Sequence, residues 1–204
     1  MGFYADHVFP LLLDWTMRAV DDLREPALAG ARGDVLEVGF GTGLNLPHYP
    51  GAVRRLVALD PLRALERRVA KRVAAARFPV ERVALPADQR LPFQDASFDC
   101  IVSTFTLCSI PDAKAALAEM RRVLRPGGVY LFLEHGRSDD PRVARWQERF
   151  EPIQRRIACG CHLSRPIDRL VREAGFQMER LERFVQPHAP RIMAEMYRGA
   201  ARGA

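Results

Sequence analysis

The run from Val35 to Leu46, Val-Leu-Glu-Val-Gly-Phe-Gly-Thr-Gly-Leu-Asn-Leu, constrains this chain more than any other stretch. It opens as an apolar strand, passes through Gly39, Gly41 and Gly43, and leads towards a helix. Glycines at alternate positions let the backbone turn tightly and come close to a ligand, because no Cβ intervenes. A glycine-rich turn between strand and helix is where open α/β folds hold nucleotides. Spacing narrows the choice. The dinucleotide fingerprint needs its third glycine at position 44, which is Leu44; here the third glycine is Gly43, and Glu37 stands two residues before the first. Taken alone, the loop also fits a turn whose glycines are only structural.

The 204 residues suit one domain with a full core, and 48% of them are hydrophobic. No apolar run approaches the ~20 residues that span a bilayer. The apolar patch Phe9 to Leu13 is followed at once by Asp14 and lacks the form of a signal peptide, so a cytoplasmic location is the expectation. The net charge of +6 gathers in Arg63 to Arg77, with Arg67, Arg68, Lys71 and Arg72 between. That segment reads as a solvated helix face, or as a peripheral contact with an anionic membrane surface. No aromatic residues interleave with these arginines, so no nucleic acid partner is expected. Cys100, Cys108, Cys159 and Cys161 read as reduced thiols in a chain whose core needs no disulfides.

Along the chain, Val8 to Leu28 reads as one or two helices broken near Pro26, with Asp21, Asp22, Arg24 and Glu25 facing away. Strand 1 (Asp34–Val38), the glycine loop and a short helix ending near Pro47 or Pro50 follow. Strand 2 (Arg55–Leu59) ends in Asp60-Pro61. The basic helix ends near Phe78-Pro79, before strand 3 (Val80–Leu85) and the turn Pro86-Ala87-Asp88. Strand 4 (Cys100–Phe105) is continuously apolar, as in a parallel sheet buried on both faces. A helix over Asp112–Arg125 is stopped by Pro126-Gly127-Gly128. Strand 5 (Val129–Leu133) runs into Glu134-His135-Gly136, then a helix over Pro141–Ile157, Cys159-Gly160-Cys161-His162 and a helix over Ile167–Ala174. Two last strands fall near Phe176–Phe184 and Arg191–Ala201. The alternation predicts a three-layer α/β fold, a Rossmann-like sandwich. It divides into an N-terminal helical cap (1–30), a core (31–136) and a set of helices and strands beyond it (137–204).

Several short motifs then occur in a fixed order. Glu37-Val-Gly-Phe-Gly-Thr-Gly43 resembles motif I of the class I S-adenosylmethionine-dependent methyltransferases. Asp60 resembles that family's ribose-binding acid. Ala87-Asp88, Leu91-Pro92-Phe93 and Ser97-Phe98-Asp99 resemble its segment between strands 3 and 4, and Leu124-Arg-Pro-Gly-Gly128 its turn before strand 5. A narrower resemblance, to the branch that includes alkyl thiol S-methyltransferases, rests on Thr106-Leu107-Cys108-Ser109, Glu134-His135-Gly136 and Gly160-Cys161-His162. The resemblance implies a seven-stranded, mostly parallel sheet with the last strand antiparallel. It implies S-adenosyl-L-methionine as cofactor, held by Glu37, Gly39, Gly41, Gly43, Asn45, Asp60, Pro61, Ala87, Asp88, Thr104 and Leu107. Within that set Asp60 accepts from the ribose hydroxyls, Asp88 from the adenine amine, and Glu37 supplies an acceptor carboxylate for the cofactor's α-amino group. A sulfonium cofactor carries no pyrophosphate, which accounts for Leu44 and disfavours a dinucleotide oxidoreductase.

The implied reaction passes a methyl group by in-line displacement to a small-molecule acceptor, a thiol being one candidate. Alternatives are a phospholipid or other amine N-methyltransferase, and a cofactor-binding protein without catalysis. Little acid–base help is needed for a thiol, part of which is already thiolate at neutral pH. His135, just past strand 5, is the first candidate base and His162 the second. Tyr4, Cys108 and Cys161 are placed in the acceptor pocket. Thr106 and Cys108 border the methionine end of the cofactor, and Cys100 is a core residue. Cys159-Gly-Cys161-His162 departs from metal-ligand spacing, and no second cluster completes it, so no metal is expected.

Overall fold

The computed structural model describes residues 8–62, 65–187 and 189–203. Its elements are α1 (Phe9–Thr16), α2 (Arg24–Leu28), β1 (Gly33–Val38), β2 (Val53–Leu59), α3 (Glu66–Ala74), β3 (Val80–Val83) and β4 (Phe98–Thr104). Then come α4 (Ala113–Val123), β5 (Leu124–His135), α5 (Pro141–Ile157), α6 (Ile167–Glu173), β6 (Phe176–Val185) and β7 (Glu195–Gly203).

The strands form one seven-stranded sheet in the order β3-β2-β1-β4-β5-β7-β6. β1 to β5 pair in parallel, and β7 runs antiparallel to both β5 and β6. Val38 pairs with Leu59 on one side and Ser103 on the other, and Thr104 pairs with Leu133, so four strand ends finish level. The chain's direction across the sheet reverses between β1 and β4. The crevice beyond their carboxyl ends is the ligand position in open α/β sheets.

Strand alternation divides the core between two faces. Leu36, Val38, Ile101, Tyr130 and Phe132 pack with α4 and α6 on one side. Val35, Val102 and Leu131 pack with Leu28, Phe40, Leu46 and Tyr49 on the other. Glu37 shares a face with Val35, and Thr104 with Val102, so both point towards the N-terminal segment. Large apolar side chains stay exposed on α1 (Leu11, Leu12, Leu13, Trp15) and on α5 (Trp146, Phe150, Ile153, Ile157). Among the described residues, no helix is long and apolar enough to cross a membrane.

Several boundaries differ from the sequence expectation. The N-terminal segment breaks at Val20, where φ is −124°, rather than at Pro26. Pro26 is the third residue of α2, where its missing N–H has no helical acceptor to lose. After the glycine loop the chain makes only a 3-10 turn over Leu46–His48, because Pro47 and Pro50 withhold the donors an α-helix needs. β5 begins at Leu124 rather than Val129 and incorporates Pro126-Gly127-Gly128. α5 begins and ends where expected: the Asp140 carboxylate accepts from the Arg142 N–H, and Pro141 takes the first helical position.

Candidate active site at the switch point

The glycine loop is held by the ends of its two neighbouring strands. Gly39 and Phe40 donate their N–H groups to the Leu59 carbonyl, at 2.9 and 3.3 Å. Gly41 donates to Asp60 Oδ2 at 2.8 Å, and Leu62 to Asp60 Oδ1 at 2.8 Å. Asp60 thus fastens the loop while remaining partly open. Burial raises its pKa, and the two backbone donors oppose that rise. A recess beside it is lined by Phe40, Ala58, Asp60, Arg82, Val83 and Ala84. Two glycines have different causes. At Gly39, φ is +76° and a Cβ would lie 2.0 Å from Thr106 Oγ1, so the loop after β4 closes against it. At Gly41, φ is +55° and no atom lies within 4 Å of a Cβ position, which leaves its backbone open to a ligand. An open backbone turn beside a part-buried carboxylate suits a nucleoside whose ribose hydroxyls need an acceptor.

Beneath the loop lies a buried polar network. Tyr49 donates to Glu37 Oε2 at 2.8 Å, and Asn45 Nδ2 donates to Glu37 Oε1 at 2.9 Å and to Thr104 Oγ1 at 3.0 Å. Arg24 donates to Asn45 Oδ1 at 2.7 Å and to Thr104 Oγ1 at 3.3 Å, and its guanidinium stands 5.6 Å from the Phe105 ring centroid. Glu37 is 1% exposed and each of its oxygens accepts one donor, so it supports the loop from below. Burial pushes its carboxyl up to about 7, against the opposing effects of Tyr49, Asn45 and Arg24. Asn45 and Thr104 belong to the same floor. Arg24, expected to face solvent, turns inward because a buried carboxylate needs a cation and donors.

The N-terminal segment is fastened over the loop by Asp14. Thr42 donates to its Oδ1 at 2.6 Å, Arg72 at 2.7 Å, and Arg68 donates to Oδ2 at 3.0 Å; Arg72 also donates to the Thr42 carbonyl. Burial raises the Asp14 pKa, but Arg72, Thr42 and Arg68 outweigh it and hold the carboxyl at about 2. Arg68 and Arg72 are therefore not part of a purely solvated face. Beyond β3, Asp88 accepts from the Asp112 N–H at 3.3 Å, where α4 begins. Ala87 is buried and Pro61 exposed. Leu107 is a fully buried core residue whose N–H goes to Glu134 and whose carbonyl accepts from Arg165.

Beyond β4 and β5, a second buried carboxylate orders the crevice. Glu134 accepts from the N–H groups of Thr106 and Leu107, at 2.8 and 3.1 Å, and from Ser103 Oγ at 2.9 Å. Burial pushes it up to about 7, while these donors oppose the rise. The adjacent His135 places Nε2 3.1 Å from Cys161 Sγ, and its Nδ1 is buried without a partner among the described residues. Burial lowers the His135 pKa, and the Cys161 contact outweighs it, leaving a net rise. The Cys161 thiol is held up by its contact with Cys108 and by burial.

His162 separates from His135. Its Nδ1 pairs with Glu151 Oε1 at 2.9 Å, and its backbone N–H donates to the Cys108 carbonyl at 2.8 Å. Glu151 also accepts from the Ser164 N–H at 2.9 Å, so α5 fixes the Cys161–Ser164 segment, and Arg165 donates to the Leu107 carbonyl. Cys159 is exposed while Cys161 is buried, so Cys159, Cys161 and His162 do not converge. Cys100 is fully buried in the core, as expected. Tyr4 lies outside the described residues. Sequence reasoning gave no inward role to Arg24 or Asp14, and named Glu134 only within the Glu134-His135-Gly136 resemblance. For Arg24 and Asp14 the only signal was a charge inside an apolar helical pattern; for Glu134 it was a carboxylate closing an apolar strand.

Comparison with known proteins agrees with this geometry. Residues 36–132 match the family model described as a methyltransferase domain. The chain is 39% identical over 165 residues to human Thiol S-methyltransferase TMT1B, covering 78% of this chain and 67% of that protein. It is 32% identical over 169 residues to human Thiol S-methyltransferase TMT1A, covering 81% of this chain and 69% of that protein. The chain thus spans about two thirds of the length of these curated relatives. Its fold matches Burkholderia thailandensis 1,6-didemethyltoxoflavin-N1-methyltransferase, solved with bound S-adenosylhomocysteine. That match has a TM-score of 0.68 and 22% identity, and covers 93% of this chain and 80% of that one. The glycine loop, the sheet order and these relatives lead to one conclusion: the chain belongs to the class I S-adenosylmethionine-dependent methyltransferases, enzymes whose cofactor is S-adenosyl-L-methionine.

Proposed function

We propose that this enzyme methylates the sulfur of a small-molecule thiol. When bound, S-adenosylmethionine supplies an electrophilic methyl group that a nucleophile takes by in-line displacement. In this reading Asp60 accepts from the ribose hydroxyls, the Gly39–Gly43 backbone lies against the cofactor, and Asp88 accepts from the adenine. Glu37, Asn45, Thr104 and Arg24 hold the loop in shape from beneath. Glu134 fixes the Thr106–Leu107 turn, and the Cys161 segment walls the acceptor side.

The observation that carries the thiol reading is the engagement of Glu134. An amine acceptor is cationic at neutral pH and is favoured by a free carboxylate. Glu134, the buried carboxylate at the end of β5, already accepts from Ser103, Thr106 and Leu107. A thiol reaches its reactive form with the least help from a base. The names of the two human relatives support the same choice. The test uses deuteromethyl-labelled cofactor with a matched set of acceptors: an alkyl thiol, the corresponding alcohol and amine, and phosphatidylethanolamine vesicles. A labelled thioether from the thiol alone is expected. Labelled amine or phospholipid with no thioether would overturn the reading.

A further inference from the structure

Cys108 follows β4, His135 closes β5, and Cys161 lies in the segment between α5 and α6. The fold brings one ligand atom of each to within 4.8 Å of the other two, and all three residues are buried. The sequence offered a different set, Cys159, Cys161 and His162, which the fold breaks up. Tetrahedral zinc has Zn–S bonds of about 2.3 Å and Zn–N bonds of about 2.0–2.1 Å, so its ligand atoms stand roughly 3.5–3.8 Å apart. His135 Nε2 and Cys161 Sγ, at 3.1 Å, are slightly closer than that, and no pair is farther apart than 4.8 Å. Side-chain adjustments of under about 1 Å would bring them to tetrahedral spacing.

We propose that Cys108, His135 and Cys161 bind a zinc ion whose fourth position receives the sulfur of the acceptor thiol. Two thiolates and one imidazole form a borderline-soft set that suits zinc and disfavours magnesium or calcium. Three protein ligands are the number found in catalytic zinc sites that keep one position open. Other candidate ligands nearby are committed: Glu134 to its three donors, and His162 to Glu151. The ligands are also held in place. Glu134 and Arg165 fix the turn that carries Cys108, and the His162 N–H fixes the Cys108 carbonyl. The balance is simple. The two cysteines lose their protons to solvent as the ion binds, and their two negative charges offset its two positive ones. The acceptor then loses its proton to solvent and is held as a thiolate next to the cofactor crevice.

The choice of acceptor rests on the thiol reading above, so the test separates the two. The full chain is prepared with a phosphine reductant, stripped of metal and titrated with cobalt(II). One equivalent is expected to produce the visible bands of tetrahedral cobalt and the near-ultraviolet thiolate charge-transfer band. Both should be displaced by zinc. Cys161→Ser is expected to abolish the charge-transfer band or cut it to half or less, whereas Cys159→Ser keeps it. Circular dichroism of each variant establishes folding. Adding 2-mercaptoethanol should intensify and shift the charge-transfer band, and ethanol should not. Absence of the band in the folded wild type, or its full survival in Cys161→Ser, overturns the site. A band that ignores the thiol overturns the open fourth position. A band that responds to the thiol, in a protein that makes no thioether, leaves the site standing and removes the thiol reading of the reaction.

Discussion

Asp60 fastens the glycine loop and is the residue we propose takes the cofactor's ribose. Its two oxygens take the N–H groups of Gly41 and Leu62, and the side of the carboxylate turned to the recess remains available. Asp60→Ala is expected to weaken S-adenosylmethionine binding by on the order of 1–3 kcal/mol, the cost of leaving buried donors without an acceptor. Isothermal titration of wild type and variant measures the difference; an unchanged affinity would restrict Asp60 to fastening the loop. This residue was legible in the sequence because an acid closing the second strand, about 20 residues after the glycine loop, has a defined place in the fold. Glu37 was legible as a position but not as an environment. Its donor Tyr49 lies beyond the glycine loop, and Arg24, whose charge acts on Glu37, sits in a helix where charge implied an outward side chain. Arg24 is instead 4% exposed, and its guanidinium reaches Asn45.

At the scale of elements, α1 is attached through Asp14. Its exposed leucines and Trp15 contribute little to the core, while Asp14 joins it to Thr42 of the glycine loop and to Arg68 and Arg72 of α3. Asp14→Asn is expected to destabilise this attachment by about 1–3 kcal/mol, read as faster hydrogen exchange in residues 9–16. The pH dependence follows from the depressed carboxyl. An unfolded aspartate titrates near about 3.9, whereas folded Asp14 titrates at about 2. Between those values the unfolded chain binds the extra proton. The contribution of Asp14 is therefore fully present above about pH 4 and is lost as pH falls through about 2, a loss that Asp14→Asn removes. A variant with wild-type exchange and acid sensitivity would mean that Asp14 does not hold α1. Elements with strong local signals were legible. α5 has the bounds read from the sequence, Pro141 to Ile157, and the structure shows Asp140 capping it. The short elements were not, because a 3-10 turn and a five-residue helix offer too few positions for a period to emerge.

At the scale of the molecule, the layered α/β architecture was legible from alternation, whereas the seven-strand count and the reversed final strand came only from family resemblance. Periodicity finds strands but does not give their neighbours or direction. The acceptor side was the least legible region. Cys108, His135 and Cys161 belong to three separate segments, brought together by the pairing of β4 with β5 and by the bonds of the Cys161–Ser164 segment to Cys108 and α5. On the other side of the crevice, the glycine loop and Asp60 follow consecutive strands, β1 and β2, so that part could be read from one stretch of sequence. The most direct test of the whole account is a pair of calorimetric titrations of the wild-type chain, one with S-adenosylmethionine and one with NADH. Stoichiometric binding of S-adenosylmethionine with no response to NADH is the predicted result. Tight binding of NADH with no heat from S-adenosylmethionine would contradict it.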